Sequence, residues 1–120
     1  MIVDDSNLIR RRIERTQSLP ELAVVGSAGN GEEALEVFRR TDPDLVTMDL
    51  TMPEMDGIEC IAHLVRLKPE VRILVISALA DKATAIDAIE KGASGFLHKP
   101  FTDRQLNEAL LELARIPQHA

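Results

Sequence analysis

Tryptophan and tyrosine are absent, and phenylalanine occurs only three times in 120 residues. A core made by this chain must therefore be built from Leu, Ile, Val and Ala. The single cysteine, Cys60, excludes an intramolecular disulfide, and no Cys/His cluster has the spacing of a zinc site. His63, His98 and His119 are too scattered to suggest a metal site. No stretch is long enough to span a bilayer, and the amino end runs into an acidic pair rather than a signal-peptide core. A soluble cytoplasmic protein with no membrane contact is expected. Positive charge is scarce too: 14 Lys and Arg face 20 Asp and Glu, for a net charge of −6. That balance argues against direct nucleic acid binding. The one basic cluster, Arg10 to Arg12, falls in an expected helix and reads as its solvated face.

What is present is apolar material in short, regular blocks. Hydrophobic residues make up 45% of the chain, enough for one domain that buries about two-thirds of its unfolded surface. Met1 to Val3 reads as a short strand running into Asp4 and Asp5, with Ser6 as the N-cap of a helix carrying Leu8, Ile9, Ile13 and Thr16 inward. Leu22 to Gly26 is a second strand. Asn30 with Glu33 resembles a capping box ahead of a helix with Ala34, Leu35 and Phe38. Leu45 to Met48 is a buried strand that stops at Asp49, and a loop with Pro53 and Gly57 follows, Gly57 permitting a tight reversal. Ile58, Ile61, Leu64 and Val65 mark a third helix. Val71 to Ile76 is a strand closing on Ser77. Asp81 caps a fourth helix that ends at Gly92. Ser94 to Leu97 is the fifth strand, and Thr102 with Gln105 is a capping box opening the last helix.

Strand and helix thus alternate five times with short connections. The pattern predicts an α/β fold, a doubly wound, five-stranded parallel sheet with five helices on its two faces. In such a sheet the carboxyl ends of the strands share one edge, where ligands bind. The last residues of the strands then bring together Asp4 and Asp5, Asp49, Ser77 and Lys99. Three carboxylates in one place disfavour joint ionisation. A divalent cation removes that cost, and an all-oxygen site with few protein ligands suits Mg²⁺. With Mg²⁺ and an ammonium present the site welcomes a phosphoryl group, and an Asp carboxylate is a competent nucleophile toward it.

Asp4-Asp5-Ser6, Met48 to Pro53 with Met55-Asp56-Gly57, Ser77-Ala78 and Lys99-Pro100-Phe101 resemble, in order and spacing, the receiver domain of bacterial two-component response regulators. The likeness is strongest to the chemotaxis receivers and covers essentially the whole chain. It implies a flavodoxin-like strand order of 2-1-3-4-5, for which a chemotaxis receiver is the standard example. It implies Asp49 as phosphoacceptor, Asp4, Asp5, Asp49 and the Thr51 backbone carbonyl as Mg²⁺ ligands, and Ser77 and Lys99 as partners of the phosphoryl group. Phe96 stands at the position of the family's aromatic switch, and a cis Lys99–Pro100 peptide is expected. Implied partners are a sensor histidine kinase or phosphotransfer protein and a downstream output protein or domain. The output is expected to be read from the face of the fourth helix, fifth strand and fifth helix. Such a protein catalyses its own phosphorylation and dephosphorylation without being a turnover enzyme.

The expected receiver domain covers residues 1–116, with 117–120 as a tail or the start of a linker. Only three residues precede Asp4, fewer than the family usually has, which implies a trimmed amino end or a weakly held strand edge. Glu54, Asp56 and His98 receive no chemical role. Two other readings compete. An Mg²⁺-dependent aspartyl-phosphate phosphatase of the haloacid-dehalogenase type would carry a second acid where Thr51 stands, and it would need room for a cap domain. A pseudo-receiver acting only as an interaction module would not need the intact Asp and Lys set.

Overall fold

The computed structural model describes residues 1–52, 55–79 and 81–115. Its elements are β1 (Ile2–Val3), α1 (Asn7–Thr16), β2 (Ser27–Ala28), α2 (Gly31–Thr41), β3 (Leu45–Met48), α3 (Gly57–Leu67), β4 (Arg72–Ser77), α4 (Lys82–Glu90), β5 (Gly95–His98) and α5 (Asp103–Ala114). Every strand pair is parallel, and the order is β2-β1-β3-β4-β5. The doubly wound sheet expected from the alternation is what forms.

Strand alternation divides the core in two. Along β4, Ile73 and Val75 pack with Val37, Phe38, Ile61 and Leu64 from α2 and α3. Leu74 and Ile76 point the other way, onto Ile13, Leu106, Leu110 and Leu113 from α1 and α5. This period of two on a strand covered from both sides is why its sequence is apolar throughout.

Local signals set most helix starts. The Ser6, Asn30, Asp81 and Thr102 side chains each accept a first-turn N–H, from Ile9, Glu33, Thr84 and Gln105. The reciprocal bond of a full capping box is present at Thr102 and Gln105. Asp56, given no role from sequence, caps α3 by accepting the Glu59 N–H at 2.8 Å. Gly92 takes the left-handed φ of +121° expected just past α4.

Three sequence expectations are corrected. The second strand is Ser27–Ala28, not Leu22 to Gly26. A strand exists by pairing, and β1 offers only Ile2 and Val3, opposite Ser27 and Ala28. Leu22 to Val25 stay irregular, with Val24 and Val25 exposed. Leu8 does not face the core and is 78% exposed. Ile9 and Ile13, one turn apart, define the inward stripe, and Leu8 falls beside it. Nor is the basic cluster simply solvated. Arg12 stacks on the Phe101 ring at 4.4 Å and donates to the Phe101 carbonyl, while Arg10 donates to the Asp4 carbonyl. These two arginines tie α1 to the loops that carry the site.

Candidate functional site at the carboxyl edge of the sheet

Asp4 follows β1 and Asp49 follows β3, and the ladder holds both in line. Asp4 N–H donates to Ala28 O at 3.1 Å, and Asp49 N–H to Val3 O at 2.9 Å. Both side chains are enclosed, with residue exposures of 1% and 5%, while Asp5 is exposed. Carboxylate oxygens of Asp4, Asp5 and Asp49 lie within 4.8 Å of one another. The Lys99 ammonium, at the end of β5, donates to Asp4 Oδ2 at 2.9 Å and to Asp49 Oδ1 at 3.5 Å. The Lys99–Pro100 peptide is cis, as expected. Ser77 is fully buried at the end of β4, its Oγ accepting the Leu79 N–H at 3.0 Å. Thus the edge gathers Asp4, Asp5, Asp49 and Lys99 in direct reach, with Ser77 closing the neighbouring strand. Thr51 is exposed just beyond, and Pro53 and Glu54 of the same loop lie outside the described residues.

The electrostatics follow from this crowding. Burial, then the charge of Asp4, push the Asp49 carboxyl up from 3.8 to about 6, against the pull of Lys99. Burial works against the Lys99 ammonium, but hydrogen bonding and charge from Asp4, with the charge of Asp49, more than offset it. Its pKa stays above the ordinary lysine value. One half-buried ammonium pairs with Asp4 and Asp49, with a third carboxylate, Asp5, close by, and the site is short of positive charge. Its donor set is entirely oxygen, which suits a hard divalent cation.

Gly57 matters here for a different reason than the one read from sequence. Its φ is not left-handed. Instead α3 starts hard against the end of β3, with Gly57 N–H donating to Leu50 O at 2.9 Å. A Cβ on Gly57 would lie 2.2 Å from the Asp49 carbonyl oxygen and 2.6 Å from Leu50 Cα. Close backbone approach, invisible in a single sequence, is what requires glycine. Cys60 plays no part, since burial pushes its thiol up to about 12 and keeps it protonated.

This geometry defines a class: a parallel α/β sheet with an acidic, lysine-paired pocket at its carboxyl edge. Residues 1–111 match the response regulator receiver domain, and the chain belongs to that family. It is 39% identical to the chemotaxis protein CheY of Thermotoga maritima over 115 residues, 96% of each chain. A protein-glutamate methylesterase/protein-glutamine glutaminase of Alkalilimnicola ehrlichii is 40% identical over 94% of this chain, but only 32% of that protein is covered. Among solved structures, a chain of the CheX–CheY–BeF₃–Mg²⁺ complex from Borrelia burgdorferi superposes with a TM-score of 0.89. It is 30% identical and covers 96% of this chain and 87% of that one. Mg²⁺ binding at an acidic pocket is a general feature of the family, and the Asp4, Asp5 and Asp49 cluster fits it.

Proposed function

We propose that this chain is a phosphoacceptor receiver, with Asp49 taking a phosphoryl group from the phosphohistidine of a sensor kinase or phosphotransfer protein. An Asp49 carboxylate oxygen attacks phosphorus, the bond from phosphorus to the imidazole nitrogen breaks, and the histidine leaves with that electron pair. The product is an acyl phosphate on Asp49. Lys99, 3.5 Å from Asp49 Oδ1, pairs with the added negative charge, and the Ser77 hydroxyl donates to a phosphoryl oxygen. Asp4, Asp5, Asp49 and the Thr51 carbonyl would hold Mg²⁺. When bound there it supplies the positive charge that three carboxylates and a phosphoryl group together require.

The observation that carries this reading is the shortage of positive charge around a buried Asp49 whose pKa is raised to about 6. A purely structural ion cluster has no reason to keep that deficit. The receiver comprises residues 1–116 and contacts no nucleic acid itself. Its output is read from α4, β5 and α5. Phe96 is half-buried there and lines a groove of about 240 Å³ with Leu74, Ala109 and Leu113. Added charge at Asp49 draws Ser77 inward, Phe96 turns into the vacated space, and a partner that prefers that shape favours phosphorylation in return. The test is intact mass after treatment with acetyl phosphate, with and without Mg²⁺. One added phosphoryl group is expected with Mg²⁺ and none in Asp49→Asn. Release of phosphate from many esters would instead indicate a phosphatase, and no labelling at all a pseudo-receiver.

A further inference from the structure

The turn leaving β4 is held by a side chain that phosphoryl chemistry does not use. Ser77, the last residue of β4, stands opposite His98, the last of β5. Three hydrogen bonds fix the turn. Lys99 N–H donates to the Ser77 carbonyl at 2.8 Å, continuing the ladder. Leu79 N–H donates to Ser77 Oγ at 3.0 Å, a local serine turn. The third bond reaches across from β5, where His98 Nε2 lies 3.2 Å from the Ala78 carbonyl oxygen. A carbonyl can only accept, so the His98 ring must carry its proton on Nε2.

These bonds link the turn to the buried hydroxyl. Because Leu79 N–H donates to Ser77 Oγ, a shift of the hydroxyl either carries Leu79, and with it Ala78, or gives up that bond. The Ala78 carbonyl is anchored to His98. Any displacement of Ser77 toward Asp49 is therefore resisted by the ring, from outside the pocket and without touching it. Resting on the reading of Asp49 as phosphoacceptor, we propose that His98 is a positioning residue, a latch that holds the Ser77–Leu79 turn in its unphosphorylated place. A single exposed hydrogen bond biases such an equilibrium by about two- to tenfold rather than locking it. The latch sets how readily the turn yields, and so how tightly a phosphoryl group is held.

Backbone amide NMR of the protein without any phosphoryl mimic reads the turn directly. His98→Ala should move the Ala78 and Leu79 resonances toward the positions they take with beryllofluoride and Mg²⁺. It should also tighten beryllofluoride binding by about two- to tenfold, because a larger fraction is already competent. His98→Gln places an amide N–H where Nε2 stood and should restore both properties. The imidazole ¹⁵N spectrum of the wild type should report the proton on Nε2. The latch is overturned if His98→Ala leaves resonances and affinity unchanged, or if His98→Gln behaves like His98→Ala. A wild type that binds no beryllofluoride contradicts the phosphoacceptor reading instead. Even then, a displaced turn in His98→Ala that His98→Gln restores supports the latch, and an undisplaced one overturns it.

Discussion

Two lysines gather carboxylates at opposite ends of the sheet, and the clusters differ in how well charge is matched. At the amino end Lys68 donates to the Pro43 carbonyl at 3.0 Å and pairs with Asp42 and Asp44 at 3.2 Å each. Those carboxylates are 80% and 72% exposed, so water shares the work of solvating them. Burial disfavours the Lys68 ammonium, yet the hydrogen bonds it donates to Asp42 and Asp44 leave its pKa above the ordinary value. This cluster ties the end of α3 to the turn before β3. At the carboxyl end Lys99 faces Asp4 and Asp49, both enclosed, with Asp5 close by. There only Asp5 is open to water, and Asp4 and Asp49 are shielded from it. The two clusters are alike in number of charges and differ in enclosure, and enclosure without neutrality is what the proposed function assigns to a receiving site.

Removing Lys99 should have the largest effect. Lys99→Met leaves Asp4 and Asp49 buried without their cation and should cost about 3 kcal/mol at neutral pH, measured by urea unfolding, with part regained in acid as Asp49 protonates. Gly57→Ala comes next. Its Cβ cannot be placed without moving the Asp49–Leu50 backbone, a cost of about 2–3 kcal/mol that should be accompanied by slower phosphoryl labelling.

Asp49→Asn should act in the opposite sense and stabilise the protein. The native pKa of Asp49, about 6, lies above its ordinary 3.8. Between those values the native state binds more protons than the unfolded chain, so wild-type stability should rise as pH falls from about 6 toward 3.8. The interval corresponds to about 3 kcal/mol, of which Asn should recover about 2 at neutral pH while flattening the profile. An unchanged profile in Asp49→Asn would remove the charge-deficit argument. The smallest effect is expected at the other end of the sheet. Lys68→Ala, whose partners are exposed, should cost about 1 kcal/mol or less and leave phosphoryl labelling untouched.

What the sequence disclosed depended on how local each signal was. β3 and the capping box of α5 are written in consecutive residues, and both stand where the pattern put them. The convergence of Asp4, Asp49 and Lys99 was legible because strand ends in a parallel sheet must share an edge. The extent of β2 was not legible, because it is set by which residues β1 can pair. Arg12 on Phe101 and the close approach at Gly57 were missed for the same reason. Each rests on which neighbour packing supplies, and composition or spacing carries no trace of that. The Asp56 cap differs, for Asp56 and Glu59 stand at the same local spacing as Asn30 and Glu33 and were legible in the sequence.

On the proposed function, the charge deficit at the carboxyl edge serves to receive a phosphoryl group on Asp49, and trapping the labelled residue tests this. After acetyl phosphate and Mg²⁺, borohydride reduces an acyl phosphate to the alcohol, which peptide mass mapping then locates. The account predicts homoserine at position 49 and nowhere else. Homoserine at Asp4, Asp5 or Asp56, or an unreduced Asp49 in protein that carries the label, would contradict it.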